Sequence, residues 1–437
     1  MNKSKQSQRI PGAWIPTLYF MEALPYVLVN IVSVTLLTDM GLSNTEQALY
    51  TSMLYLPWVI KPLWSPLVDS FSTKRKWIWV MQMVCGISML AIALLLPTSF
   101  WLIGSMTLFW VLAFASASHD IAADGFYILG LNSHQQSVWV GIRSTFYRIG
   151  MIFGQGLLVM LAGKLPEWVG VDHPTAWGIV FASTAAIAIL LAFYHRWAIP
   201  KIETEVADKQ SLGFSAAVNK TISDFGKTFK VFFTKPQIWA ALLFMLLFRF
   251  PEAQLVKIAQ PFMMDSFDNG GLELGVSDVG FAYGTLGVIG LLLGGILGGV
   301  AVAIGGLKKW LWPMVIAISI PDAVYILLSY TQNSNIFLVN SCVFLEQFGY
   351  GFGFTAYMMY LIYFARGENS TSVYALCTGF MALGMMLPGL FAGWLADTLG
   401  YRAFFIWILA ATAVTFIVTA FLKIDPEFGK KTEKETK

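Results

Sequence analysis

The chain has 437 residues, of which 57% are hydrophobic and only 12% charged, with a formal net charge of +3. Soluble proteins carry nearer 25% charged residues, so composition excludes an ordinary soluble domain and points to an all-α polytopic membrane protein. The three cysteines, Cys85, Cys342 and Cys377, all lie in apolar runs, which argues against a disulfide framework or a metal site and for a place in the core.

In chain order, twelve apolar segments have spanning length: 13–38, 46–68, 77–97, 100–131, 138–163, 175–197, 236–262, 276–304, 309–330, 334–364, 371–396 and 401–423. The N-terminal Met1–Pro11 is polar and the first segment lacks a small-residue cleavage pattern, so no removable signal peptide is expected. Between the sixth and seventh segments lies a polar stretch whose 212–233 portion has apolar residues near helical spacing, the pattern of an amphipathic helix on a membrane surface. The expected organisation is an N-terminal six-helix bundle (1–197), a cytoplasmic linker with that helix (198–235), and a C-terminal six-helix bundle with a cytoplasmic tail (236–437).

Orientation follows from the basic residues. With the N-terminus inside, 21 of the 28 Lys and Arg fall on the cytoplasmic side, whereas the opposite loops hold Lys164 and Arg402 and are otherwise acidic. Both termini are therefore expected in the cytoplasm. The halves also echo one another. Leu24-Pro25 and Asp39 recur as Phe250-Pro251 and Asp265 at an offset of 226, and Gly41-Leu-Ser-Asn44 recurs as Gly275-Val-Ser-Asp278. Ser137-Val-Trp139 and Gly154 recur as Ser372-Val-Tyr374 and Gly389 at an offset of 235. These echoes support two parallel repeats and resemble the organisation of major facilitator transporters.

Ser116-Ala-Ser-His-Asp-Ile-Ala-Ala-Asp-Gly-Phe-Tyr127 stands out, because Asp120 and Asp124 are four apart inside an apolar segment and share one helix face beside His119. A carboxylate in a span costs at least about 2.5–3.5 kcal/mol and should face protein or a water-filled path. The loop after the second segment ends in Asp69 followed by Lys74-Arg-Lys76. Asp69 is read as a gate element at a helix N-terminus of the other half. Arg75 either latches an acidic partner in one conformation or, with its neighbours, only supplies positive-inside charge. Gly393-Trp-Leu-Ala-Asp-Thr-Leu-Gly-Tyr-Arg402 resembles the turn between the last two spans of the major facilitator superfamily.

Leu56-Pro-Trp-Val-Ile-Lys-Pro-Leu-Trp-Ser-Pro-Leu-Val-Asp69, Ser116–Gly125 and Leu345-Glu-Gln-Phe-Gly-Tyr-Gly-Phe-Gly-Phe-Thr-Ala-Tyr357 together resemble the muropeptide permease (AmpG) and acetyl-CoA transporter family over nearly the whole chain. Asp120, Asp124 and Glu346 match acidic positions of that family, whereas His119 replaces its Gln, and two extra spans of the longer permeases are missing. The resemblance implies a major facilitator fold of 12 transmembrane helices in two six-helix repeats. It also implies a secondary active transporter in a bacterial inner membrane that imports anhydro-muropeptides, an amino-sugar carrying a short acidic peptide, by proton symport. Another anionic solute, such as a siderophore or an acyl-CoA, and a drug-like export substrate remain alternatives.

The other intramembrane charges extend a polar route. Asp120, Glu346, Asp124 and Glu252 are expected to exchange protons. Arg249, Arg148, Glu22, Trp58, Trp64 and His119 are expected at the substrate, cations for its carboxylates and aromatics for its sugar faces. Lys61 and Arg143 join Asp69 and Arg75 as gate residues, Arg143 or Lys61 neutralising Asp120 and Asp124; structural ion pairing between helices is the competing reading. Arg143 and Arg148 are five apart and diverge on a helix. Gly290-xxx-Gly294-xxx-Gly298 and Gly150-xxx-Gly154 suit close helix packing. Gly226-Lys-Thr228 lacks a nucleotide loop's upstream glycine, no His/Cys/carboxylate spacing fits a metal, and nothing pairs a nucleophile with a base. An enzyme or ATP-driven pump is disfavoured. The expected partners are a small-molecule substrate, protons and the lipid bilayer, with no cofactor, no metal, no nucleic acid and a monomeric protein.

Overall fold

A computed structural model describes residues 10–131, 133–201, 223, 226–367 and 370–429, apart from some side chains near helix ends, that of Asp69 among them. Among these residues the regular structure is helical throughout. Nine helices among the described residues are long and apolar enough to cross a membrane by length and composition.

The first helix, α1 (Pro11–Asp39), has 83% of its apolar window buried inside the protein, against 33–61% for the other eight, so protein rather than lipid surrounds it. Pro25 lies inside α1, and a wider π turn at Leu28–Val32 follows it, the local adjustment by which a helix absorbs a missing N–H. The second expected segment is broken into α2 (Asn44–Met53) and α3 (Leu56–Phe71) just ahead of Pro57. Ser43 and Glu46 close a reciprocal capping box on α2. Then come α4 (Lys74–Leu95), capped by Thr73, and α5 (Trp101–Gly130), which carries the two aspartates. A further helix, α6 (133–169), contains a π turn at Phe153–Leu158, and α7 (His173–Ala198) starts on the side-chain cap of Asp172.

Most of the expected amphipathic linker helix lies outside the described residues; its last part is helix α8 (226–234). Phe232 of α8 is buried and stacks on Phe380, with Phe364 edge-on. Helix α9 (Ile238–Met264) breaks at Phe248 and Arg249, and Pro251 takes the first turn after the break, where its missing N–H costs nothing. Side chains take up carbonyls near the break: Tyr357 donates to Met245 at 2.6 Å and Thr415 to Phe248 at 2.9 Å.

Helices α10 (Val276–Gly305), α11 (Leu307–Thr331) and α12 (Ile336–Ala365) follow. Ser370–Ala420 is one hydrogen-bonded run with Gly400 at φ 74°, ψ 157°. Unbroken it would extend about 75 Å, more than twice a bilayer core; Gly400 turns the chain and separates α13 (370–399) from α14 (401–420).

The chain divides into two compact units, Met1–Ser33 with Ile60–Gly226, and Val34–Val59 with Lys227–Lys437. The first has a core around Trp14, Leu18, Tyr19, Ala122 and Phe126; the second around Ile258, Phe262, Tyr325, Val343 and Phe405. Cys85, Cys342 and Cys377 are buried and unpaired.

Candidate functional site

Each unit buries a triad of carboxyl groups. In the first, Glu22 of α1 meets Asp120 and Asp124 of α5, with carboxylate oxygens of all three within 4.8 Å of one another. The i,i+4 spacing puts both aspartates on one side of α5, and Glu22 reaches them from the enclosed α1. Two cations answer this charge. Lys61 of α3 forms an ion pair with Asp120, and Arg143 of α6 reaches Asp124 at 2.6 Å. Tyr19 donates to Asp124 at 3.3 Å while the Arg143 guanidinium lies 4.3 Å from the Tyr19 ring centre and 5.3 Å from that of Tyr127. The aromatic faces fix the arginine by cation–π attraction. Oε2 of Glu22 is buried and accepts no hydrogen bond among the described residues. Three acids against two bases leave one acid in excess.

In the second unit, Glu252 of α9, Asp322 of α11 and Glu346 of α12 form the corresponding cluster, again with oxygens within 4.8 Å of one another and with all three residues buried. Gln347 donates to both oxygens of Glu346, at 3.1 and 3.0 Å, and Tyr325 to one of them at 3.3 Å, while the Tyr283 hydroxyl bonds that of Tyr325. Oε2 of Glu252 has no hydrogen-bond partner among the described residues. No ion pair reaches this triad among the described residues. Arg249, one turn before Glu252, instead donates to the Tyr350 hydroxyl, its guanidinium 5.3 and 4.9 Å from the Tyr350 and Phe354 ring centres.

The remaining expected site residues lie elsewhere. His119 points away from the acids into a buried polar chain. Gln82 of α4 lies 2.8 Å from His119 Nε2 and 2.9 Å from His195 Nδ1, and Thr17 lies 2.9 Å from His195 Nε2. One proton pattern satisfies all three contacts with both rings neutral: Gln82 Nε2 donates to His119, His195 Nδ1 donates to Gln82 Oε1, and Thr17 donates to His195. This chain ties α1, α4, α5 and α7 together. Arg148 is on an exposed face of α6, outside the acid cluster that holds Arg143. Trp64 packs against Phe114 of α5, centres 5.3 Å apart, and Trp58 is half-buried in the second unit. Arg75 donates to the backbone carbonyls of Ile199 (2.8 Å) and Arg196, holding the end of α7. The Asp69 side chain lies outside the described residues.

Two charged residues escaped the sequence reading. Asp322 stands in Ile320-Pro-Asp322, and a lone carboxylate in an apolar segment was a sufficient signal. Lys257 is buried in α9, donates to Thr51 at 2.9 Å and lies 5.0 Å from the Tyr55 ring centre. Of the carboxyl triads linear spacing revealed only Asp120 with Asp124 on α5, because the other members come from separate helices.

The family model of the Major Facilitator Superfamily matches residues 17–387 and 254–437. The chain is 27% identical over 418 residues to the anhydromuropeptide permease of Escherichia coli K12, covering 94% of this chain and 79% of that protein. A Rickettsia conorii protein named as an AmpG transporter is 25% identical over 83% of this chain and 85% of its own. In fold, the crystal structure of a D-xylose–proton symporter superposes with a TM-score of 0.70 at 12% identity, over 98% of this chain and 100% of that one.

Proposed function

This chain belongs to the Major Facilitator Superfamily and is a multi-pass membrane transporter, and from that premise we propose that it imports anhydro-muropeptides with protons by alternating access. The likeness to the E. coli permease along 94% of the chain supports the cargo. In this reading twelve spans form two six-helix repeats in a bacterial inner membrane, both termini are cytoplasmic, and the working protein is a monomer.

The observation that carries the coupling is the first triad. Glu22, Asp120 and Asp124 share the two cations Lys61 and Arg143, so one proton balances the cluster. A proton taken from one side and released to the other when the ion pairs rearrange is the minimum a symporter needs. Arg249, fixed against Tyr350 and Phe354 with its Nε unpartnered among the described residues, is suited to a cargo carboxylate, and those rings to sugar faces. Lys61 and Arg143 act as gate residues because their partners change with the proton.

The test is uptake of labelled N-acetylglucosaminyl-anhydro-N-acetylmuramyl peptide into proteoliposomes, with and without an inward proton gradient. Accumulation should require both protein and gradient. Asp120→Asn should abolish accumulation yet retain exchange of labelled for unlabelled cargo across the membrane. Accumulation that ignores the gradient would remove the proton; absence of uptake by folded protein would remove the cargo.

A further inference from the structure

The two triads correspond in part and are balanced differently, the first drawing on two helices, α1 and α5, and the second on three. Asp120 and Glu346 are 226 residues apart, the same offset that relates Leu24-Pro25 to Phe250-Pro251, and Glu22 and Glu252 each follow the start of a broken or bent helix with a nearby proline. The cations have no such echo. At offsets of 226 and 234 from Lys61 stand Gly287 and Gly295, and at 235 from Arg143 stands Thr378. Glu252, Asp322 and Glu346 are 6%, 3% and 3% exposed, so water does not screen their charge. Of the two nearest bases on α9, Lys257 is engaged on Thr51 and Tyr55, and Arg249 attracts Glu252 at a distance but gives its hydrogen bond to Tyr350 and forms no ion pair with the triad among the described residues.

We infer that Glu252, Asp322 and Glu346 form a binding site for a hard metal cation, which does for the second triad what Lys61 and Arg143 do for the first. Three points no more than 4.8 Å apart pairwise fit inside a circle of radius about 2.8 Å, so a position exists from which one ion is near an oxygen of every carboxyl. The donors are all oxygen, the set that selects a hard cation of the Na⁺ or Ca²⁺ class over softer metals. Glu252 Oε2, buried and without a hydrogen bond among the described residues, is the observation beyond clustering that points to a ligand. The Tyr325 hydroxyl, 3.3 Å from Glu346 and backed by Tyr283, supplies a fourth oxygen at the rim. The ligands come from α9, α11 and α12, so occupancy ties together three helices of the second unit.

The experiment uses the purified full chain in detergent, without cargo or gradient, so its outcome is independent of the proposed transport reaction. Thermal unfolding and radiotracer binding are measured with Na⁺, Ca²⁺ or Mg²⁺, against K⁺ and choline at matched ionic strength. The expected result is saturable binding of Na⁺ or Ca²⁺, with an unfolding midpoint that rises with the logarithm of cation concentration. Glu252→Gln and Asp322→Asn should each lower affinity at least tenfold, Glu346→Asp should bind more weakly, and Asp278→Asn, at an exposed position outside both triads, should bind as the unaltered protein does. Response to Na⁺ alone would identify a monovalent coupling ion, and response to Ca²⁺ alone a structural one. Unfolding midpoints equal in all five salts, with no tracer bound by the unaltered protein, would overturn the site.

Discussion

At the residue scale the economy of the first triad lies in its pairing. The Lys61 and Asp120 side chains are 28% and 20% exposed, so each is largely withdrawn from water and depends on the other. Removing one partner leaves an uncompensated charge, which costs more than removing both. Lys61→Met is therefore expected to destabilise the protein by about 2–3 kcal/mol, below the fully buried range because part of each side chain still meets solvent. Adding Asp120→Asn to Lys61→Met should recover most of that loss. Thermal unfolding of the two single variants and the double variant checks this; equal losses that simply add would mean the pair is not coupled. His119 shows how far a residue's type can mislead. In sequence it sits beside Asp120 and invites a role at the substrate, but adjacent positions on a helix are a hundred degrees apart, and the ring turns toward Gln82 and His195.

At the element scale glycine decides where helices touch. Helices α10 and α12 pack backbone to backbone: a Cβ at Gly294 would run into the Phe348 carbonyl oxygen, and one at Gly351 into that of Leu291. The stripe Gly290, Gly294, Gly298 was legible from spacing as a close-packing face, and the structure sets it on α12. What spacing left open was the partner, because any helix with a small-residue face would serve. Around Gly299, by contrast, no described atom lies within 4 Å of the place an alanine methyl would occupy. Gly294→Ala should push α10 off α12 and lower the unfolding midpoint in detergent, with reduced yield of folded protein. Gly299→Ala should be neutral or stabilise by up to about 1 kcal/mol, the helix-propensity gain of Ala over Gly. Equal behaviour of the two variants would mean that the glycine stripe does not set the contact. Proline is a similar case: Pro57 and Pro251 stand beside helix breaks, Pro25 precedes a π turn, and Pro261 and Pro388 lie inside helices, while the hydroxyls of Tyr357 and Thr415 that take up carbonyls beside the α9 break come from distant helices and carry no local signal.

At the scale of the whole molecule, the all-helical membrane character and the superfamily were readable because apolar length and the motifs at 56–69, 116–125 and 345–357 are properties of the chain itself. Twelve spans were expected, and nine helices of spanning length and apolarity stand among the described residues. The carboxyl triads were readable only in part, Asp120 with Asp124 by their i,i+4 spacing, because Glu22 and Asp322 join through folding. The composition of the second unit, which takes in Val34–Val59, was not readable at all, since it depends on which helix ends meet. Within that unit the start of α2 sits on the end of α13. Asp397 accepts from the backbone N–H of Thr45 at 2.9 Å, Asn44 donates to the Tyr401 hydroxyl at 3.0 Å, and Tyr401 donates to Asp265 at 3.0 Å. A carboxylate at a helix N-terminus is worth about 0.3–1 kcal/mol, and a Cβ at Gly393 would collide with the Asn44 carbonyl oxygen. In the alternating-access cycle proposed above this contact would open once per cycle, so its strength should set a conformational balance. Asp397→Asn should shift that balance toward the parted state about two- to fivefold, and Gly393→Val should prevent the contact from forming. A single cysteine placed at Thr45 reports the change, because Cys85, Cys342 and Cys377 are buried and give little background. Its labelling by a membrane-impermeant thiol reagent should quicken with Asp397→Asn and quicken further with Gly393→Val, with transport falling in the same order. Labelling rates indifferent to both substitutions would show that this junction stays closed, or stays open, throughout the cycle and is no part of the gate.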